Sequence, residues 1–257
     1  MAGDALADAT ALILAGGFGT RLRSAIGDLP KFLADVGGVP FGHHLLRGLA
    51  RFGVRRAVLC TGHRGDVVRA TLGELTAGVR LRYSRETEPL GTGGALRHAL
   101  AQVTSRTVVV VNGDSLSDTD LAELWRFHHA HAAKATIALA SCADPRRYGR
   151  VEIDADWRGS RFAEKDPDAT AQRAWINAGL YLLAADLIAG FPTDRAGSLE
   201  AEVLPSLVRG ALFGFPGAQR FLDIGVPRAY ATAEAFVRDL YDVATRPARP
   251  ATRGVSK

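Results

Sequence analysis

Short apolar runs recur along the first part of the chain, at residues 11–15, 57–60, 79–83, 108–111 and 136–140. Each is too short for a helix, rich in aliphatic residues and bounded by glycine or polar residues. The pattern predicts buried strands. Between them the apolar period lengthens. Leu45, Leu46 and Leu49 share one face of residues 41–52, and Gly53 stops that helix. Further helices are predicted at residues 66–72, at 94–102 after a glycine-rich turn, and at 118–132 behind Asp118 as a cap. Strand and helix alternating in this way predict a mostly parallel sheet with helices on both faces, a Rossmann-like α/β fold.

Beyond about residue 145 the rhythm changes. Strands are predicted at 151–153 and 176–183, and helices at 199–204, stopped by Pro205, and at 227–240. The last carries the stripe Tyr230, Ala233, Val237 and Leu240, which is ordinary packing at helical spacing. No internal repeat and no linker interrupts the chain.

Composition narrows the class. The chain has 257 residues, 47% of them hydrophobic, which suits one large α/β domain. No run reaches the roughly 18–20 apolar residues of a membrane span. The two cysteines, Cys60 and Cys142, make neither a disulfide framework nor a CxxC pair, and the first residues have no basic leader, so a cytoplasmic protein is expected. The net charge of +5 has a local source: Arg246, Arg249, Arg253 and Lys257 lie in residues 245–257, which contain no acid. Without them the body is near neutral, which argues against nucleic acid as a partner. That tail, rich in Pro and Ala, is expected to be disordered.

The chemistry starts where the first strand ends. Ala15, Gly16, Gly17, Phe18, Gly19, Thr20 and Arg21 follow the strand directly, with Pro30 and Lys31 downstream. Glycines let a backbone approach phosphate oxygens and aim N–H groups at them. The Gly-Lys-Ser/Thr of a P-loop is absent, and Leu22 stands where the dinucleotide fingerprint needs its third glycine. Arg21 and Lys31 add positive charge at the carboxyl end of a strand, where open α/β sheets bind ligands.

These residues resemble the signature of the sugar-1-phosphate nucleotidyltransferases. The resemblance runs over about residues 10–240 and includes Glu88-Pro89-Leu90-Gly91-Thr92-Gly93-Gly94-Ala95, Asn112-Gly113-Asp114, Tyr148-Gly149, Glu164-Lys165, Asn177-Ala178-Gly179 and Asp223-Ile224-Gly225, in the family's order. In wording and length these motifs are most similar to those of the D-glycero-D-manno-heptose 1-phosphate guanylyltransferases. The resemblance implies the nucleotide-diphospho-sugar transferase fold. It implies a single domain over residues 1–244, with a nucleotide-binding half over about 1–145 and a sugar-phosphate-binding half over 146–244. It also implies a nucleoside triphosphate, a sugar 1-phosphate and Mg²⁺.

Roles follow from the resemblance and from the charge of the reactants. A sugar phosphate attacking a triphosphate joins two anions, so the site must neutralise charge and align the groups. Ala15, Gly16, Gly17, Gly19 and Thr20 are expected against the nucleotide, Arg21 on the departing pyrophosphate, and Lys31 near the α-phosphate. Asp114, at a strand end, and Asp223 are expected to hold the metal. Glu86 with Gly91 and Thr92 is expected around the base. A carboxylate there matches the two adjacent donors of guanine, where relatives reading uracil or thymine place a glutamine. Gly149, Glu164, Lys165 and Asn177 are expected on the sugar phosphate. A hexose 1-phosphate enzyme using another nucleotide, or an inactive sugar-nucleotide sensor, remains open, as does a homo-oligomer. His128, His129 and His131 are read as a solvated helix end, because nothing completes a metal set beside them.

Overall fold

The computed structural model describes residues 6–17, 19–163, 173–192 and 195–242. Its centre is a parallel group of four strands, β1 (Thr10–Leu14), β2 (Arg56–Thr61), β3 (Val79–Arg85) and β4 (Thr107–Asn112), in the order β4-β1-β2-β3. These are four of the predicted runs; β1 is shifted one residue toward the N-terminus and leaves out Ala15, and the other three are extended by one or two residues at one or both ends. β1 is buried between β2 and β4, which is why residues 11–13 carry no polar side chain. Ala11 and Ile13 enter one apolar cluster and Leu12 the other, as strand alternation requires.

Helices cover both faces. α1 (Phe41–Arg51), α2 (Gly65–Leu72), α4 (Leu121–Ala130) and α5 (Ala233–Asp242) pack into the cluster of Ala11 and Ile13. α3 (Gly91–Ala99) packs into the cluster of Leu12, through Ala95, Leu96 and Ala99. The Tyr241 hydroxyl donates to the His44 carbonyl and ties α5 to α1.

The remaining strands make the sheet mixed. β9 (Ala174–Ala184) pairs antiparallel with β6 (Ala135–Cys142) on one edge. On its other edge, Leu180–Ala184 pair with β4, while Ile176 pairs with Arg150 of β7 (Arg150–Ile153). β8 (Gly159–Ala163) lies outside β7, and β10 (Leu212–Ala218) runs parallel to β6. A separate two-stranded ladder joins β5 (Ser115–Ser117) to β11 (Phe221–Asp223).

Several local expectations are corrected. The cap of α4 is Asp120, whose side chain accepts from the Glu123 N–H at 2.9 Å. Asp118 instead accepts from the Gln219 and Arg220 N–H groups. Pro205 does not stop a helix. A wide turn, Leu199–Val203, runs into the short helix Leu204–Ser206, whose first turn needs no N–H from a proline. Residues 227–240 form two helices, Pro227–Tyr230 and α5. His128 is no solvated end. It is 2% exposed and bonds the Thr136 hydroxyl at 2.8 Å. Residues 245–257 lie outside the described residues.

Candidate active site

The site is assembled where β1, β2 and β4 end. The Ala15 N–H donates to the Cys60 carbonyl at 2.9 Å, so the chain leaves β1 still attached to β2. It then passes through Gly16 and Gly17 into a tight turn, Thr20–Leu22. Asp28 anchors the far end of this loop. Its carboxylate takes Arg23 at 2.7 Å and Arg64 at 2.8 Å. The bond from Arg23, with the charges of Arg64 and His63, holds Asp28 below the usual carboxylate range. Pro30 then sets up the turn Lys31–Leu33.

β4 ends at Asn112, and Gly113 makes the next step possible. Its N–H donates to the Leu14 carbonyl at 3.0 Å, and a Cβ there would stand 2.6 Å from that oxygen. This close approach sets Asp114 beside the end of β1. Lys31 Nζ donates to Asp114 Oδ2 at 2.8 Å. The β5–β11 ladder places Asp223 opposite Ser115, and the Ile224 N–H donates to the Asp114 carbonyl at 2.9 Å. Burial first, and the charge of Asp114 second, push the Asp223 carboxyl above its usual range, against the pull of the Gly225 N–H and Lys31. Two carboxylates from segments far apart in sequence are therefore near enough to feel one another's charge, and Lys31 pairs with one of them. Such a pair suits a hard divalent cation that keeps waters and takes its other ligands from phosphates. Among the described residues no cluster of three or more metal-ligating side chains provides an all-protein cage.

Glu86 lies beyond the end of β3, with its N–H on the Thr61 carbonyl. Its Oε2 accepts from the Leu90 N–H at 2.9 Å. Burial pushes its carboxyl above the usual range, with Leu90 N–H and His98 pulling the other way. Gly91, which opens α3, has φ +71°, and a Cβ there would meet the Gly197 carbonyl at 2.5 Å. Both its conformation and its neighbour demand glycine.

A cavity of about 840 Å³ runs between these parts. Of the expected residues, Ala15, Gly16, Gly17, Lys31, Glu86, Gly91, Thr92 and Asp114 line it. Gly19, Thr20, Arg21, Gly149, Asn177 and Asp223 do not. Arg21 is exposed on the turn that follows Gly19. Gly149 and Asn177 sit together, joined by the Asn177 N–H on the Gly149 carbonyl at 2.9 Å. Tyr148 beside them meets Phe221 edge to face and feels the charge of Asp223. Glu164 and Lys165 lie outside the described residues.

Sequence reasoning missed Arg64, Arg85, Asn112 and Glu200 on the cavity wall. Asn112 was visible only as part of a motif, and its Oδ1 is buried without a hydrogen-bond partner. Glu200 lay inside a segment read as an ordinary helix. The signal was a carboxylate directly after a buried leucine, which is weak without the fold.

Known proteins share this fold and much of this sequence. The chain is 36% identical over 249 residues to the mannose-1-phosphate guanylyltransferase of Mycobacterium tuberculosis, covering 95% of this chain and 67% of that protein. It is 34% identical over 225 residues to the D-glycero-alpha-D-manno-heptose 1-phosphate guanylyltransferase of Aneurinibacillus thermoaerophilus, covering 87% and 96%. The crystal structure of HddC from Yersinia pseudotuberculosis complexed with GMP-PN superimposes with a TM-score of 0.77 at 31% identity, over 88% of this chain and 98% of that one. The Nucleotidyl transferase family matches residues 10–239, which contain every part of the cavity wall, and the chain belongs to that family.

Proposed function

We propose that this protein is a sugar-1-phosphate guanylyltransferase, joining GTP and a sugar 1-phosphate into a nucleotide-sugar with release of pyrophosphate. The carrying observation is the Lys31–Asp114 pair beyond the glycine-rich turn, sharing a cavity with Glu86, with Asp223 on the strand paired to Ser115. The names of the relatives support guanylyl transfer. D-glycero-D-manno-heptose 1-phosphate is the favoured acceptor, on the wording of the motifs. Mannose 1-phosphate is the second reading, supported by the 36% identical relative.

In the proposed reaction a phosphate oxygen of the sugar attacks the α-phosphorus in line, and the bond to the β-phosphate breaks as pyrophosphate leaves. The turn from Gly16 to Thr20 offers backbone N–H groups to the phosphates, and Arg21 extends toward the leaving group. Lys31 leaves Asp114 for the α-phosphate, where charge builds up. Asp114 and Asp223 would hold Mg²⁺, which supplies charge neutralisation between the two anionic reactants. Glu86 keeps one carboxylate oxygen on the Leu90 N–H and offers the other to the N–H donors of guanine. The nucleotide half over about 1–145 and the sugar half over 146–244, with Gly149, Glu164, Lys165 and Asn177 on the sugar phosphate, complete the proposal, and it places the enzyme in the cytoplasm.

A pyrophosphate-release assay over a grid of nucleoside triphosphates and sugar 1-phosphates with Mg²⁺ tests it. Turnover is expected with GTP and a manno-configured sugar 1-phosphate. Release with no pair would remove the enzyme, and preference for UTP or dTTP would remove the role of Glu86.

A further inference from the structure

Glu200 has no place in the reaction as set out above, yet it joins the two halves of the site. It lines the cavity from the turn Leu199–Val203, which packs onto the start of α3 through the Gly197 carbonyl and the Gly93 N–H at 2.8 Å. The Thr92 hydroxyl donates to Glu200 Oε2 at 2.7 Å while accepting from the Leu199 N–H at 2.8 Å. The Tyr181 hydroxyl donates to Glu200 Oε1 at 3.3 Å and accepts from Asn177 Nδ2 at 2.7 Å. Asn177 Oδ1 in turn accepts from the Gly179 N–H at 2.9 Å. One carboxylate therefore holds the turn at Gly91 and Thr92 with one oxygen, and the Tyr181–Asn177 pair of β9 with the other.

The residue type is informative. Two hydroxyl donors converge on this side chain, one at each oxygen, and only a carboxylate accepts at both. A glutamine would turn an N–H₂ group toward one of them. Tyr181 is fully buried, and burial with the nearby charge of Glu200 keeps its phenol protonated, so it stays a donor. Among the described residues no cation pairs with Glu200. A half-buried carboxylate without a counter-charge is costly, and two charge-assisted hydrogen bonds offset that cost.

We propose that Glu200 is a positioning residue that sets the base-side turn and the sugar-side amide at a fixed separation, so that both substrates bind through it. This rests on the guanylyltransferase reading for the identity of the substrates. The bridge itself is geometric.

The test is steady-state kinetics of Glu200→Gln, with Glu202→Gln on the same turn as a control outside the cavity, and a thermal melt of each. Glu200→Gln should raise KM for GTP and for the sugar 1-phosphate together, on the order of tenfold each, with kcat kept within about twofold. Glu202→Gln should keep both KM values. Thr92→Val should also raise KM for the sugar 1-phosphate, although its hydroxyl reaches the sugar half only through Glu200. The double variant should be no worse than either single one.

A lower melting temperature with both KM values unchanged would make Glu200 merely structural and overturn the proposal. A rise in one KM alone would make it a direct ligand of that substrate and overturn the bridge. Should Glu200→Gln not fold, the sugar KM of Thr92→Val decides alone. Wild-type protein that turns over no substrate pair would defeat the guanylyltransferase reading. Calorimetric titrations with GTP and with mannose 1-phosphate then decide the bridge, since affinities about tenfold weaker for both in Glu200→Gln support it and an unchanged affinity for either overturns it.

Discussion

Lys31 and Asp114, 83 residues apart in sequence, meet at 2.8 Å between Nζ and Oδ2. The lysine is held where a divalent cation and a phosphate would each compete for one of the two partners. Lys31→Met is therefore expected to lower kcat/KM by about 10²- to 10³-fold, the usual cost of removing one stabilising donor from a charged transition state. Its melting temperature should change little, because the pair is partly solvated. Asp114→Ala should nearly abolish turnover with the far-ultraviolet circular dichroism spectrum unchanged. Retained activity in Asp114→Ala would move the proposed metal site elsewhere.

Glu86 should decide the base. Glu86→Gln is expected to lose about 10- to 100-fold in kcat/KM for GTP, with the loss smaller for UTP. The carboxyl sits above the usual range because it is buried. Its ionised, accepting form is therefore lost at higher pH than that of an exposed glutamate. KM for GTP should rise as pH falls through that range, and the rise should disappear in Glu86→Gln. A pH series of KM for both proteins checks this.

Gly91→Ala combines a left-handed backbone with a contact at 2.5 Å to the Gly197 carbonyl. A loss of about 2 kcal/mol is expected, or roughly 4–8 °C in melting temperature. The same displacement would shift Thr92, so KM for GTP should rise too. Gly17→Ala is the contrasting variant, because a Cβ there meets nothing within 4 Å.

His128 gives the fold a dependence on acid. Burial, with the neighbouring His129, pushes its imidazole down to about 4. The unfolded chain binds the proton near 6.5, so between these values the unfolded state holds more protons. The stabilisation is complete above pH 6.5 and is lost as pH falls toward 4, up to roughly 3 kcal/mol. Chemical denaturation at pH 7 and pH 5 should show this slope, and His128→Gln should flatten it.

The parallel core was legible because residues 11–13, 57–60 and 108–111 are apolar on both faces, as only a strand buried on both sides requires. Much of the cavity wall was legible for a related reason. Gly16, Glu86 and Asp114 each come within two residues of the end of β1, β3 or β4 and could be placed by sequence order alone, whereas Lys31 lies 17 residues beyond β1 and was placed by the Pro30-Lys31 motif. Glu200 and Tyr181 were not. Their partners, Thr92 and Asn177, lie 108 and 4 residues away, and no local pattern encodes a hydroxyl converging on a carboxylate. His128 was misjudged because a histidine late in an amphipathic helix reads as polar, whereas here Thr136 on β6 satisfies it inside the protein.

β9 is a single continuous strand, yet one of its edges changes partner between Asn177 and Leu180, from β7 to β4, where Gly179 adopts φ +68°. The chain beyond residue 145 is therefore woven into the same sheet as the chain before it. Rotating one part against the other would break this ladder and the β6 pairing, which lines the opposite edge on both sides of an irregularity between Asn177 and Tyr181. A hinge between these two parts would cost backbone hydrogen bonds of the sheet. The connections that leave the sheet, such as the turn held by Asp28 and Arg64, can move without that cost, and a change of shape during turnover is expected there.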